Sequence, residues 1–309
     1  MVSRGLHLAL RRMRRLGLAL LALACAMPVF AREIAIVTSR EQGVEREVAE
    51  ALLASGRRHP LFLAGSAERG LQPGALKDSG LVIALGLNAA QGLVQGDRPV
   101  LVALVTASDF EKLRTSAPRA QLSGLFLDQP ASRHLALIRA ALPQAGCAGL
   151  LLGPESHGVQ SRFETAAGQA GLKLDADFAA SSRDVLPVLE RLLGRCEAVL
   201  TLPDGVVSNP TVARAVLLTS YRVQRPLFAY SRAWVEAGAL AAVFSTPATA
   251  TRDLLDWLDG LEDVRRLPPP SRARHFDLAI NTRVARALNL SVPDEDTLRA
   301  AVAAGRQSR

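Results

Sequence analysis

Several short polar loops carry the residues whose types could do chemistry, and each follows an apolar run. Gly86-Leu87-Asn88 comes after Leu81–Leu85 and opens the helical stretch Ala89–Val94. A phosphate loop needs Gly-Lys-Ser/Thr after its second glycine, and a dinucleotide loop needs Gly-x-Gly-x-x-Gly. Here Gly92 is followed by Leu93-Val94 and Gly86 by Leu87-Asn88, so both nucleotide patterns fail. What remains is a tight turn with Asn88 as the expected helix cap. The free N–H groups and positive dipole end of such a helix start can take a carboxylate without lysine, or the turn is a plain cap.

Thr38-Ser39-Arg40 follows the first run, Ile34–Val37, and Arg40 could grip an anion through two N–H groups. Gly153-Pro154-Glu155-Ser156-His157-Gly158 follows Ala148–Leu152. A nucleophile elbow needs Gly-x-Ser-x-Gly, and Pro154 stands where its first glycine should be. Adjacent side chains such as Ser156 and His157 seldom point at each other for proton transfer. Asp204, in Leu202-Pro203-Asp204-Gly205, could hold an ammonium or simply form the turn. Tyr230-Ser231 closes another run, where Tyr230 could stack on a ligand or pack. His59, His134, His157 and His275 lack ligand spacing and there is no Cys-x-x-Cys, so neither a metal nor another cofactor is expected.

These loops need elements to hold them. Apolar runs alternate with helical patterns and end at Gly or Pro, the mark of a parallel α/β sheet. The runs are continuous rather than alternating, as in strands covered on both faces. Strands are expected at Ile34–Val37, Pro60–Leu63, Leu81–Leu85, Val100–Val105 and Leu125–Leu127, with helices at Val44–Leu53, Ala89–Val94, Ala107–Leu113 and Ser132–Ala141. The pattern restarts at Ala148–Leu152 and runs on through Ala198–Leu202, Pro226–Ala229 and Leu240–Phe244. A Pro-rich segment, Leu267–Ser271, separates off a tail with strand Asp277–Ile280 and helix Glu295–Ala304. The fold class is therefore α/β: two Rossmann-like, doubly wound, parallel-sheet lobes. Ligands of such sheets bind beyond the carboxyl edges of the strands, and two facing lobes can close on a small molecule by hinge motion. That geometry suits a binding protein or a two-lobed enzyme.

The chain of 309 residues, 49% hydrophobic and 21% charged, is large enough for such a core. Arg11, Arg12, Arg14 and Arg15 precede the apolar run Leu16–Ala26, and Val29-Phe30-Ala31 is a small-x-small cleavage site. Residues 1–31 thus read as an export signal. A membrane helix needs about 20 apolar residues, and Arg32-Glu33 ends the run first. Ala22-Leu23-Ala24-Cys25 is similar to a lipoprotein box, so a lipid anchor at Cys25 is the alternative to soluble export to the periplasm. Without residues 1–31, which hold Arg4 and the four arginines above, the net charge falls from +8 to +3. With no basic stripe interleaved with aromatics, no nucleic-acid partner is expected. Cys147 and Cys196 each open an apolar run. If those runs are the first and third strands of a doubly wound sheet, they are neighbours. The two residues can then form a disulfide, or remain two buried thiols.

The segments LVIALGLNAAQGL, RPVLVALVTASD, LSGLFLDQPASRHLALIRAALPQA, CAGLLLGPES, VLTLPDGVVSN, RPLFAYSRAWVEAGALAAV and FDLAINTRVARALNLSVP, in that order and spacing, resemble the type I periplasmic solute-binding proteins of ABC transporters, in the branch that includes aromatic amino-acid binders. The resemblance implies lobes crossed three times by the chain, with residues 32–130 and 245–272 in one and 131–244 and 273–309 in the other. It implies a monomer that closes on a small polar solute and delivers it to an ABC permease. A sensor reporting to a membrane receptor from the same cleft is the alternative, with a two-lobed enzyme behind both. The matching cleft positions are Thr38, Ser39, Arg40, Gly86, Leu87, Asn88, Glu155, Ser156, Asp204, Tyr230 and Ser231. Leu87-Asn88 stands where the family has Thr-Pro, so an aromatic amino-acid ligand does not carry over; a small zwitterion would still suit Asp204 and the capped turn.

Overall fold

The structure is a computed structural model that describes residues 33–56 and 59–304. The export signal and Cys25 lie outside the described residues. Among those described, no helix is long and apolar enough to cross a membrane.

The first sheet takes β1 (Glu33–Thr38), β2 (Leu61–Ser66), β3 (Ser79–Leu85), β4 (Val100–Val105), β5 (Leu122–Phe126) and the two-residue β11 (Ser271–Arg272). Its order is β11-β5-β4-β3-β1-β2, and every pairing is parallel. Alternate side chains of one strand serve opposite faces. Leu81, Ile83 and Leu85 pack under helices α1 (Val44–Leu53) and α9 (Pro247–Asp259), while Val82 and Ala84 pack under α2 (Leu87–Leu93) and α3 (Ala107–Ser116). Both faces are covered, which is why these strands have unbroken apolar sequences.

The second sheet takes β6 (Cys147–Leu152), β7 (Lys173–Phe178), β8 (Ala198–Thr201), β9 (Leu227–Ala229), β10 (Ala241–Phe244) and β12 (Asp277–Ile280), in the order β12-β10-β9-β8-β6-β7. Only β12, at the edge, runs antiparallel. Helices α4 (Ala131–Ala141), α5 (Gln160–Gln169), α10 (Thr282–Ala287) and α11 (Glu295–Ala304) cover one face, and α6 (Val185–Arg195), α7 (Pro210–Arg222) and α8 (Arg232–Ala237) the other. β6 and β8 are neighbours, with Ala148 beside Ala198. Cys147 and Cys196, at one end of this pair, are joined by a disulfide.

The chain passes between the sheets after β5, after β10 and after β11, so three segments cross side by side. They are tied together. Arg133, fully buried, donates through Nη1 to Gln129 Oε1 and the Ala273 carbonyl, and through Nη2 to the Arg274 carbonyl. Gln129 Nε2 donates to Ser245 Oγ at 2.8 Å, and Ser245 Oγ donates to the Leu127 carbonyl at 2.9 Å. Asp253 Oδ1 accepts from the backbone N–H groups of Arg274 and His275. The polar backbone of crossing segments cannot be buried without such partners.

β11 departs from expectation. The Pro-rich segment reads as a separator, yet its end adds a strand beside β5, Ser271 opposite Leu125 and Arg272 opposite Phe126. Two residues are too few to show any periodicity.

Candidate functional site

The parallel strands of each sheet send their carboxyl ends toward a cavity of about 390 Å³, within the size range of small-molecule sites. From the first sheet come Thr106–Asp109 after β4, Leu127–Gln129 after β5, and Arg272. From the second come Glu155 and Ser156 after β6, Leu202–Asp204 after β8, Tyr230 and Ser231 after β9, and Phe244 and Ser245 at β10. His134 of α4 and Val159, Arg162 and Phe163 around the start of α5 add to the wall. The cavity therefore lies between the two sheets, beside the crossing segments that contribute Gln129 and Ser245.

The turn after β4 is built by a bulge. Leu104 takes a left-handed conformation, φ 58°, where the β4–β5 register slips. The chain then reaches Thr106, which caps α3: Oγ1 accepts from Asp109 N at 3.1 Å. Asp128 Oδ2 accepts from Ala107 N at 2.6 Å. Burial raises the Asp128 carboxyl above its ordinary value, against the pull of that N–H and of Arg272.

Asp204 organises the opposite wall. Its buried carboxylate accepts from Glu155 N, Ser156 N and Ser156 Oγ through Oδ2, and from Val206 N and Val207 N through Oδ1. Gly153 makes room for it; a β-carbon there would stand 2.3 Å from Asp204 Oδ1. Asp204 is thus occupied by the loop it holds, as the turn-forming reading expects, while it also lines the cavity. Ser156 and His157 go separate ways: His157 Nδ1 lies 3.1 Å from the Pro154 carbonyl, while Ser156 Oγ faces Asp204. Glu155 accepts from Gly205 N at 3.0 Å, and its other oxygen lies 3.4 Å from Lys112 Nζ of α3, an exposed ion pair between the two walls. Tyr230 donates its hydroxyl to Ser208 Oγ at 2.7 Å, and Ser231 caps α8.

Of the positions expected from sequence, Glu155, Ser156, Asp204, Tyr230 and Ser231 line this cavity; Thr38, Ser39, Arg40, Gly86, Leu87 and Asn88 do not. Both turns sit at the carboxyl end of the first sheet but pack on each other. Asn88 is inside α2 and exposed rather than capping it. The capping job falls to buried Ser39, whose Oγ accepts from Ala89 N at 3.1 Å. Gly86, φ 91°, leaves the space, since a β-carbon would meet Ser39 Oγ at 2.4 Å. The Arg40 guanidinium is held by the Glu45 carboxylate, 3.1 Å to its nearer oxygen.

Several lining residues have no counterpart in the sequence reading. His134 is 4% exposed and packs against the Phe163 ring, centroids 5.9 Å apart. Its Nδ1 has no hydrogen-bond partner. Burial, with help from the Arg133 and Arg272 charges, pushes its pKa down to about 3, so the ring is neutral. Arg272 is half-buried, and burial pushes its pKa down against the attraction of Asp128, with Arg162 adding a repulsive charge. Thr106–Asp109 could have been found, because Thr106 with Asp109 three residues on is a capping pattern at a strand end. Arg272, just after the Pro-rich segment, gives no signal. No group of three side chains able to hold a metal ion occurs among the described residues.

The profile of the family described as ABC transporter substrate binding protein matches residues 75–303. No curated protein matches the chain. Among solved structures, a conserved domain protein from Vibrio cholerae is 20% identical, with a TM-score of 0.56 over 87% of this chain and 98% of its own. An ABC domain in complex with L-Trp from Streptococcus pneumoniae is 18% identical, with a TM-score of 0.55 over 86% of this chain and 97% of its own. A substrate binding protein with adhesive properties from Clostridium difficile, in its ligand-free, open form, is 16% identical, with a TM-score of 0.62 over 86% and 97%. At these identities the likeness is one of fold.

Proposed function

Since the chain belongs to the ABC transporter substrate binding protein family, we propose that it is the periplasmic binding component of an ABC importer. It takes a small polar solute, an amino acid or a compound of similar size, into the cavity between its sheets. The lobes of this reading are residues 32–130 with 245–272 and residues 131–244 with 273–309. They close on the solute as a monomer and present it to a permease. One observation carries the reading: a cavity of about 390 Å³ whose walls come from both sheets, next to three crossing segments that can serve as hinge. The solute contacts proposed are Glu155, Ser156, Tyr230 and Ser231, together with Asp128, His134 and Arg272 from the same cavity.

A solute that binds the native state alone raises the melting temperature in step with saturation. Screening amino acids, carboxylates, nucleosides and sugars by thermal shift is expected to give at least one saturable rise, reduced in a Tyr230→Ala variant. If every solute left the transition where it was, the binding reading would be lost. Stimulation of a permease's ATP hydrolysis by the loaded protein, and not by the empty one, tests the transport half of the proposal.

A further inference from the structure

We infer that the cavity is made for a solute bearing an anionic group on an apolar body, with no ammonium group beside it. The inference rests on the reading of the cavity as a solute site and names the chemistry of that solute.

Charge bookkeeping within the walls leads there. Four acids line the cavity: Asp109, Asp128, Glu155 and Asp204. Each already has partners. Asp204 is filled by the N–H and O–H groups of two loops. Asp109 accepts from Thr106 Oγ1 at 2.9 Å and sits 3.5 Å from Lys112 Nζ. Glu155 has Gly205 N and the same lysine. Asp128 holds Ala107 N and lies within the field of Arg272. A ligand ammonium would therefore share a carboxylate with these partners and meet none that is free of them.

The cations are in the opposite condition. Arg162 and Arg272 both line the cavity, and neither guanidinium makes a direct hydrogen bond or ion pair among the described residues. They are close enough to repel, and Arg272 is half out of water. Arg272 feels the Asp128 charge only at a distance and the Arg162 charge against it; a carboxylate reaching the two guanidinium groups offsets that repulsion and gains charge-assisted hydrogen bonds. The rest of the wall is largely apolar: Val159, Phe163, Leu202, Val243 and Phe244. His134 adds a second pointer. It is nine-tenths buried and neutral, and its Nδ1 is without a partner, so it brings polarity but no charge to the Phe163 side. An aromatic or branched carboxylate satisfies all three features; an amino acid of the same body brings a positive charge that finds only carboxylates already holding partners.

Three compounds sharing one body separate the possibilities: 3-phenylpropionate, L-phenylalanine and 2-phenylethylamine, titrated calorimetrically into the purified full chain. The carboxylate is expected to bind about tenfold or more tightly than the amino acid, and the amine not at all. Arg272→Gln, and separately the exposed Arg162→Gln, should each weaken 3-phenylpropionate by about tenfold while the melting temperature of the empty protein stays near the native value. Tighter binding of L-phenylalanine or of the amine overturns the inference and leaves solute binding intact. So does failure of all three alongside saturable binding of an uncharged sugar. Failure of every solute class removes both readings.

Discussion

His134 shows how one buried side chain links stability to pH. Its folded pKa of about 3 lies below the ordinary value of 6.5 for the unfolded chain. The unfolded state therefore takes up a proton first as the pH falls, and the folded state loses ground. The stabilising contribution is complete above about pH 6.5 and declines between there and the folded pKa. The expected loss is on the order of 1 kcal/mol per pH unit. Urea unfolding at pH 7 and pH 5.5 should show the native protein losing more stability than a His134→Gln variant over that interval. Equal losses in the two proteins would mean that the histidine is not held neutral by burial.

The residue scale is also where the sequence was least legible. Asn88 looks like a cap because it follows a strand and a glycine, but Ser39, far away in the chain, supplies the oxygen. Asp204 looks like a ligand group because it sits at a strand end. Its carboxylate is instead spent on the backbone of its own and the neighbouring loop. Both arrangements have one physical source. A polar side chain at a sheet edge has several donors within reach, and only the packed structure decides which it meets.

At the scale of elements, reading was far easier. Val100–Val105 and Asp277–Ile280 are strands, and Val44–Leu53 and Glu295–Ala304 helices, at the bounds their patterns indicate. Strands buried on both faces must be apolar throughout, and helices covering them need one apolar stripe, so both signals are local. The crossing segments are the exception. Their cohesion rests on Arg133, on a helix whose other buried residues are His134, Leu135, Leu137, Ile138 and Ala141, and nothing local marks the arginine as buried. Replacing it by glutamine strips donors from Gln129 Oε1 and from the carbonyls of Ala273 and Arg274. The expected cost is about 3 kcal/mol or more, because charge-assisted bonds are lost and buried acceptors are left unmet. Denaturant unfolding of Arg133→Gln measures it; a loss under about 1 kcal/mol would show that the knot does not hold the crossings.

At the scale of the whole molecule, the space between the sheets is where the proposed function places the solute. The two halves share a plan in which a strand-end glycine leaves room for a polar side chain of a neighbouring strand's loop: Gly86 with Ser39 in one, Gly153 with Asp204 in the other. Only the second pair lies on the cavity wall. The walls are bridged at their rim by an exposed Lys112–Glu155 pair, an interaction of a kind that contributes about 0–1 kcal/mol and so does little to hold the halves in place. The proposed function assigns the hinge to the crossing segments, and a solute touching both walls is what would bias its closure. Small-angle X-ray scattering of the protein, empty and then saturated with the tightest solute from the thermal screen, tests this most directly. The account predicts a smaller radius of gyration on saturation. An unchanged scattering curve with the solute demonstrably bound would contradict it.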